Sequence, residues 1–116
     1  MPTKTLEATV RREGSVGVIS LAGEINGFAE AALNQAYAEA AAPETNAVLI
    51  RFDRVDYINS TGIALIVGLL AQARKSGRRL LTSGLSPHYT EIFQITRLAD
   101  FMQIYPDETT ALAANQ

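Results

Sequence analysis

Short apolar runs alternate along the chain with longer segments in which apolar residues recur at helical spacing. The short runs are typical of β-strands, and the longer segments are typical of helices that bury one face. The predicted strands are residues 5–11, 15–22, 46–52, 79–83 and 101–105. The predicted helices are residues 28–41, 60–75, 86–98 and 107–113. The elements therefore follow the order β-β-α-β-α-β-α-β-α.

This order predicts an α/β fold with a mixed sheet of about five strands and about four helices. Residues 12–14 suit a turn, so the first two strands are expected to form an antiparallel hairpin. The later strands alternate with helices, which predicts mostly parallel pairs joined by right-handed crossovers. Residues 1–116 contain no repeat or linker and are expected to form a single domain.

Local signals predict where some of these elements begin and end. Phe28, Ala32, Ala36 and Ala40 recur at the spacing of one helix face, with Leu33 and Tyr37 beside them, which predicts the apolar side of the first helix. Residues 23–27 are expected to interrupt the chain after the second strand, and residues 53–57 are expected to form a loop. Ser86-Pro87 and Asp107 are typical of helix starts.

The composition narrows the function classes. The chain is 47% hydrophobic, has a formal net charge of −2 and contains no cysteine. Disulfides, thiolate zinc sites and cysteine nucleophiles are therefore excluded, and no attraction to nucleic acid or to an anionic membrane is expected. Residues 1–5 do not lead into the apolar segment of a secretory signal, and residues 63–73 are too short to span a bilayer. The expected location is the cytoplasm.

Side chains with possible chemistry are scattered along the chain. Asp53 and Asp56, with Glu24 earlier, could bind a metal or act as acid and base, but solvated loop carboxylates are the favoured interpretation. His88 is the single histidine and is expected to be exposed in the first turn of a helix. No nucleophile–base pair, metal constellation or phosphate loop can be assembled, so neither an enzyme nor a metal or cofactor site is predicted.

Four basic residues surround the predicted end of the second helix. Their interaction with the helix dipole is the favoured interpretation, and contact with an acidic surface on a partner is the alternative. These residues are Arg74, Lys75, Arg78 and Arg79.

The polar segment Asn59-Ser60-Thr61-Gly62 precedes a strongly apolar helix. Asn59 or Ser60 suits the N-cap position, and a phosphate at a helix start is stabilised by free N–H groups and by the helix dipole. Gly62 lacks a side chain, so a phosphate or a partner could approach the backbone closely. From local physics alone, a simple cap formed by Ser60 or Thr61 is the favoured interpretation.

Residues 52–66 as a block resemble the signature of STAS domains, the domains of anti-sigma-factor antagonists and their relatives. Gly23-Glu24-Ile25-Asn26 is similar to the turn at the end of a strand in this family, and residues 79–87 extend the resemblance downstream. The resemblance covers nearly the whole chain. It implies a regulatory binding module rather than an enzyme.

The resemblance implies that a cognate anti-sigma factor, a serine kinase of the GHKL type, phosphorylates Ser60, with Thr61 as the second choice. The unphosphorylated form would bind the kinase, and a PP2C-type phosphatase would restore it. Asn26 and Asn59 stand where well-studied members carry aspartate. A non-phosphorylated scaffold subunit of a signalling or lipid-transport complex is the alternative, and the protein is expected to be a monomer or weak dimer. The implied partner-binding residues are Gly23, Glu24, Asn26, Asn59, Ser60, Thr61 and Gly62.

Overall fold

The computed structural model of the protein describes residues 5–115. The predictions for residues 1–4 and 116, including the absence of a signal segment, lie outside the described residues. The strands are β1 (Glu7–Glu13), β2 (Val16–Ile25), β3 (Ala47–Ile58), β4 (Arg79–Ser83) and β5 (Gln103–Tyr105). The α-helices are α1 (Glu30–Ala40), α2 (Ser60–Lys75), α3 (Pro87–Ile95) and α4 (Glu108–Asn115), with 3₁₀-helices at Gly27–Ala29 and Leu98–Asp100.

The five strands form one sheet in the order β1-β2-β3-β4-β5. β1 pairs antiparallel with β2, and the other three pairs are parallel. The predicted mixed sheet with an antiparallel N-terminal hairpin is therefore confirmed. Glu13 pairs with Val16, so the turn consists of Gly14 and Ser15 rather than the predicted residues 12–14.

Apolar side chains lie on both faces of the sheet. The larger core packs α1, α2 and α3 against one face, with Ile19, Ile50, Ile66 and Phe93 fully buried at its centre. The smaller core packs α4 against the other face. It is formed by Val16, Val18, Ala47, Leu49, Leu81 and Ala111. Because the central strands are covered on both faces, their apolar residues run continuously instead of alternating.

The predicted loop at residues 53–57 is wrong. β3 continues to Ile58 because its backbone stays paired with β2 through Ala22–Arg54, Glu24–Tyr57 and Ile25–Ile58. Two register shifts in this stretch each place an extra residue in β3. These bulges disturb the strand's alternation, which explains why the sequence pattern there is typical of a loop. The break predicted at residues 23–27 also comes later, since β2 continues to Ile25.

The predicted apolar face of the first helix is also partly wrong. Phe28 lies in the 3₁₀-helix before α1, and 93% of its surface is exposed. The rest of the prediction is confirmed, since α1 buries Leu33, Ala36, Tyr37 and Ala40 and half-buries Ala32. The change of helix type at residue 29 rotates Phe28 away from the direction that a continuous α-helix would give it.

The third helix is shorter than predicted, because α3 ends at Ile95 and not near residue 98. Arg97 adopts a left-handed conformation (φ 67°), which ends the helix before the second 3₁₀-helix begins. Phe101, predicted as the first residue of the last strand, lies outside β5 and is half exposed. The predicted caps Ser86 and Asp107 are confirmed, since their side chains accept the Tyr89 and Thr110 N–H groups.

Candidate functional site

The candidate site lies where β2 and β3 end side by side. Ile25 and Ile58 are the last paired residues of the two strands, and the Asn59 N–H donates to the Ile25 carbonyl at 3.2 Å. The buried Tyr89 hydroxyl accepts the Ile58 N–H at 2.9 Å, which anchors the end of β3 to α3. Two helical segments therefore begin next to each other at this edge of the sheet.

Asn59 is the N-cap of α2. Its Oδ1 accepts the Gly62 N–H at 2.8 Å, and its carbonyl accepts the Ile63 N–H at 2.9 Å. The interpretation of Ser60 or Thr61 as the cap is therefore wrong. Ser60 is the first residue of α2, and its exposed side chain makes no cap bond to the backbone. The Ser60 hydroxyl therefore lies at the start of α2 but is not needed to cap the helix.

Gly62 is buried, because the first turn of α2 lies directly on the end of β2. A Cβ atom at Gly62 would stand 2.1 Å from the Ile25 carbonyl oxygen. The expectation that its missing side chain admits a phosphate or a partner is therefore wrong. The space is taken by the protein's own backbone, and Gly62 determines how closely the helix approaches the sheet.

Asn26 caps a helical turn at the end of β2, as Asn59 does at the end of β3. Its buried side chain accepts the Phe28 N–H at 2.9 Å, and its carbonyl accepts the Ala29 N–H at 3.0 Å. A Cβ atom at Gly27 would stand 3.6 Å from the Thr61 methyl group, which places this turn beside the first turn of α2. The two amides thus organise adjacent helix starts.

The structure brings the predicted partner-binding residues to one edge but exposes them unequally. Ser60 and Thr61 are exposed, whereas Gly23, Glu24 and Asn59 are half-buried and Asn26 and Gly62 are buried. Gly23 has a φ of 110°, and Glu24 pairs with Tyr57 in the adjacent strand. Ser60 and Thr61 are therefore the most accessible of these residues, and the buried residues support the backbone beneath them.

Two exposed aromatic residues at this edge were not predicted as contacts. Phe28 follows the Asn26 cap with 93% of its surface exposed, and Tyr57 at the end of β3 is 52% exposed. Val67 on α2 is 44% exposed. A signal for Phe28 exists in the sequence, since it directly follows Gly27 in the Asn-Gly pair typical of a turn.

The start of α2 carries the partial positive charge of its backbone dipole. The first turn of α2 contains no acidic residue, so no side-chain charge in that turn offsets the partial positive charge of the helix start. An added phosphate on Ser60 would lie next to this positive end. In the last turn, Arg74 and Lys75 complement the negative end of the dipole, as the sequence predicted.

The other side chains considered for chemistry do not converge on one site. Asp53 is exposed and pairs with Arg51 at 3.1 Å, Asp56 is exposed, and His88 is exposed in the first turn of α3. Across residues 5–115, no group of three or more histidine, aspartate or glutamate side chains is arranged to hold a metal ion.

None of the helices described for residues 5–115 combines the length and apolar character needed to cross a membrane.

Comparisons with known proteins agree with this architecture. A family model described as "Mlab, STAS domain" matches residues 8–105. An anti-sigma-B factor antagonist of Listeria monocytogenes is 30% identical over 86 residues, which are 74% of this chain and 75% of that protein. An anti-sigma-B factor antagonist of Staphylococcus aureus is 26% identical over 86 residues, 74% of this chain and 80% of that protein.

The fold itself is found in a solved structure. The crystal structure of an anti-sigma factor antagonist from Mycobacterium paratuberculosis superposes with a TM-score of 0.80 at 24% sequence identity. The superposition covers 95% of this chain and 93% of that chain. At this identity the likeness concerns the fold, and it extends over almost every element described above.

Proposed function

This chain belongs to the STAS domain family, and from that membership we propose that it is an anti-sigma-factor antagonist switched by phosphorylation of Ser60. It acts by binding and not by catalysis, as a single cytoplasmic domain. Its partner is an anti-sigma factor that is also a serine kinase of the GHKL type. A PP2C-type phosphatase removes the phosphate.

The observation that supports this proposal is that Asn59, and not Ser60, caps α2. Because Asn59 caps α2, the Ser60 hydroxyl is exposed and can be modified without removing the bond that starts the helix. A phosphate there adds a charge of about −1.5 to −2. The helix dipole stabilises that charge within the free protein, so the modification is compatible with the fold.

The same charge would oppose binding. The exposed surface around Ser60 includes Phe28 and Tyr57, whose rings a partner would remove from water. A hydrated phosphate beside these rings would have to be desolvated in the complex or would hold the partner away. Phosphorylation thus favours the free state without unfolding the protein.

The test uses the full-length chain and the serine kinases encoded near its gene. Incubation with ATP should add one phosphate to the wild type and to Thr61→Ala, but none to Ser60→Ala, as measured by intact mass. The unphosphorylated wild type should bind the kinase, and Ser60→Asp should bind at least about tenfold more weakly. Equal phosphorylation of wild type and Ser60→Ala, or no kinase binding by the wild type, would contradict the proposal.

A second candidate function is a non-phosphorylated scaffold subunit of a larger complex. It is favoured by the exposed apolar side chains of Phe28 and Val67 near the site, which suit a permanent interface as well as a switched one. The matched family model is also described by the name Mlab and not as an antagonist. A pull-down whose main partner is an ATPase or scaffold, unchanged by Ser60→Asp, would support this alternative.

A further inference from the structure

The end of β3 extends well beyond its neighbour β4. The last residues that these two strands pair are Arg51 and Ser83, whereas β3 stays paired with β2 on its other side as far as Ile58. Within residues 5–115, one side of residues 52–58 therefore has no neighbouring strand. This unpaired side belongs to the segment that leads directly into the start of α2.

The start of α3 lies next to this unpaired side. A narrow cleft of about 100 Å³ separates the two, with Phe52, Val55 and Ile58 on the β3 side and Ser86 and Tyr89 on the α3 side. Buried main-chain groups need hydrogen-bond partners wherever they point. Because no strand supplies those partners here, a side chain from α3 has to do so at the buried end of β3.

The Tyr89 hydroxyl supplies this partner. It accepts the Ile58 N–H at 2.9 Å and makes a longer bond to the Ile58 carbonyl at 3.4 Å. The N–H and C=O of one residue in a strand point to the same side, where a neighbouring strand would bond to them. The hydroxyl therefore takes the place of a neighbouring strand at the last residue of β3. Ile58 is buried, so its N–H depends on this bond.

Tyr89 is itself held firmly at the start of α3. Its N–H donates to the Ser86 hydroxyl oxygen at 3.2 Å, which caps the helix. Its ring is buried in the larger core and contacts the His88 ring edge to face, with the ring centres 4.9 Å apart. The hydroxyl is therefore a fixed point against which the end of β3 is placed.

The residues after Ile58 pass this placement on to Ser60. The Asn59 N–H donates to the Ile25 carbonyl, so the end of β3 is held by β2 on one side and by Tyr89 on the other. Asn59 then caps α2, and Ser60 is the next residue. The position of the exposed Ser60 hydroxyl thus follows from a main chain that is fixed two residues earlier.

We propose that Tyr89 is a positioning residue for the Ser60 switch, whose hydroxyl fixes the place at which the Ser60 hydroxyl is offered to the kinase. This inference rests on the proposed function, which supplies the kinase. Phosphate transfer needs a narrow geometry, and a displacement of about 1 Å can lower a rate about 100-fold. Because Tyr89 is buried, it acts through the main chain of Ile58 and not by contact with the kinase.

Two matched substitutions in the full-length chain test this role. Tyr89→Phe removes the hydroxyl and keeps the buried ring. Tyr37→Phe is the control, because Tyr37 is buried in the same core and its hydroxyl makes no hydrogen bond within residues 5–115. Thermal unfolding confirms that both variants are folded at the temperature of the measurements.

Amide hydrogen exchange, followed by NMR, reports the start of α2 without any kinase. In Tyr89→Phe, the amides of Gly62 and Ile63, which bond to Asn59, should exchange at least about tenfold faster relative to the amide of Ile50 in the core. In Tyr37→Phe this ratio should change less than about twofold. A general loss of stability would speed all three amides together.

Kinetics with the kinase that phosphorylates the wild type give the second measurement. Tyr89→Phe should lower kcat about tenfold, because the acceptor hydroxyl is less well placed. KM should change less than about twofold, since the exposed residues around Ser60 are the same. Tyr37→Phe should match the wild type in both constants.

The outcomes separate this inference from the proposed function. A wild type that takes no phosphate on Ser60 contradicts the proposed function and this inference together. A phosphorylated wild type with an unchanged kcat in Tyr89→Phe overturns the inference alone. Equal effects of Tyr89→Phe and Tyr37→Phe, or equal acceleration of exchange at Gly62 and Ile50, also overturn it.

Discussion

Asn26 and Asn59 each follow the last paired residue of a parallel strand, and each caps a helical turn through its side-chain oxygen. In the structure, the atom that matters is an oxygen that aspartate also has. An aspartate at either position would keep the cap and add a negative charge near Ser60. The amides are therefore compatible with the same local structure and change mainly its electrostatics.

Gly62 and Gly68 offer a matched pair of substitutions within α2. A Cβ atom at Gly62 would overlap the Ile25 carbonyl oxygen, whereas one at Gly68 would meet nothing within 4 Å. We expect Gly62→Ala to lower the free energy of unfolding by about 2 kcal/mol or more. Gly68→Ala should raise it by about 0.5–1 kcal/mol, because alanine favours the helix. Urea unfolding measures both, and equal effects would contradict the close approach of α2 to β2.

Among the elements, α4 stands apart because it covers the smaller core alone. Ala111 packs onto the sheet, and Glu108 connects the helix to two strands. Its Oε2 accepts a hydrogen bond from Arg11, and its Oε1 forms an ion pair with Arg51 at 3.2 Å that lacks hydrogen-bond geometry. The hydrogen bond from Arg11 is the main reason that the pKa of Glu108 lies below its usual value. Electrostatic contacts therefore supplement a small apolar interface.

This lowered pKa makes the attachment of α4 sensitive to acid. A carboxylate with a lower pKa in the folded state stabilises the fold above its unfolded pKa, and this contribution is lost as the pH falls through the folded value. The loss of this stability therefore begins near pH 4.5, the ordinary pKa of a glutamate carboxyl, and continues at lower pH. For a partly exposed pair the contribution is at most about 1 kcal/mol.

Glu108→Gln tests this element directly. It should lower stability at about pH 7 and show a smaller further loss at about pH 4 than the wild type, measured by urea unfolding. Glu91→Gln, a change of the same type on the exposed surface of α3, is the control and should follow the wild type at both pH values. A Glu108→Gln curve parallel to the wild type would show that the ion pairs do not stabilise the fold.

At the scale of the whole molecule, the two cores share the same central strands. In β3, Val48 and Ile50 contribute to the larger core, and Ala47 and Leu49 to the smaller one. The Cα radius of gyration is 12.9 Å, close to the value of about 13 Å expected for a compact domain of this size. Loss of either core would expose one face of the strands on which the other depends.

We therefore expect residues 5–115 to unfold in one cooperative transition. Far-UV circular dichroism reports the helices, and tyrosine fluorescence reports both faces, since Tyr37 and Tyr89 lie in the larger core and Tyr105 packs against the smaller one. The two signals should change at the same denaturant concentration. Separate midpoints would contradict the proposal of a single domain.

Much of the fold could be predicted from the sequence. The bounds of β4 and α2 agree with the prediction, and the hairpin and the parallel crossovers follow from the order of the elements. These features depend on signals within a few neighbouring residues, namely apolar spacing, caps and glycine at a helix end. The position of Ser60 at a helix start is of this kind, and so is the suitability of Asn59 as a cap.

Other properties were decided by contacts between residues far apart in the chain. β3 extends to Ile58 because it stays paired with β2. Gly62 is buried because it lies against the Ile25 carbonyl. Phe28 is exposed because of the turn that Asn26 caps. By itself, the sequence determined which segments form strands and helices, because those signals are local. Register and packing decided which side chains at the Ser60 edge are exposed.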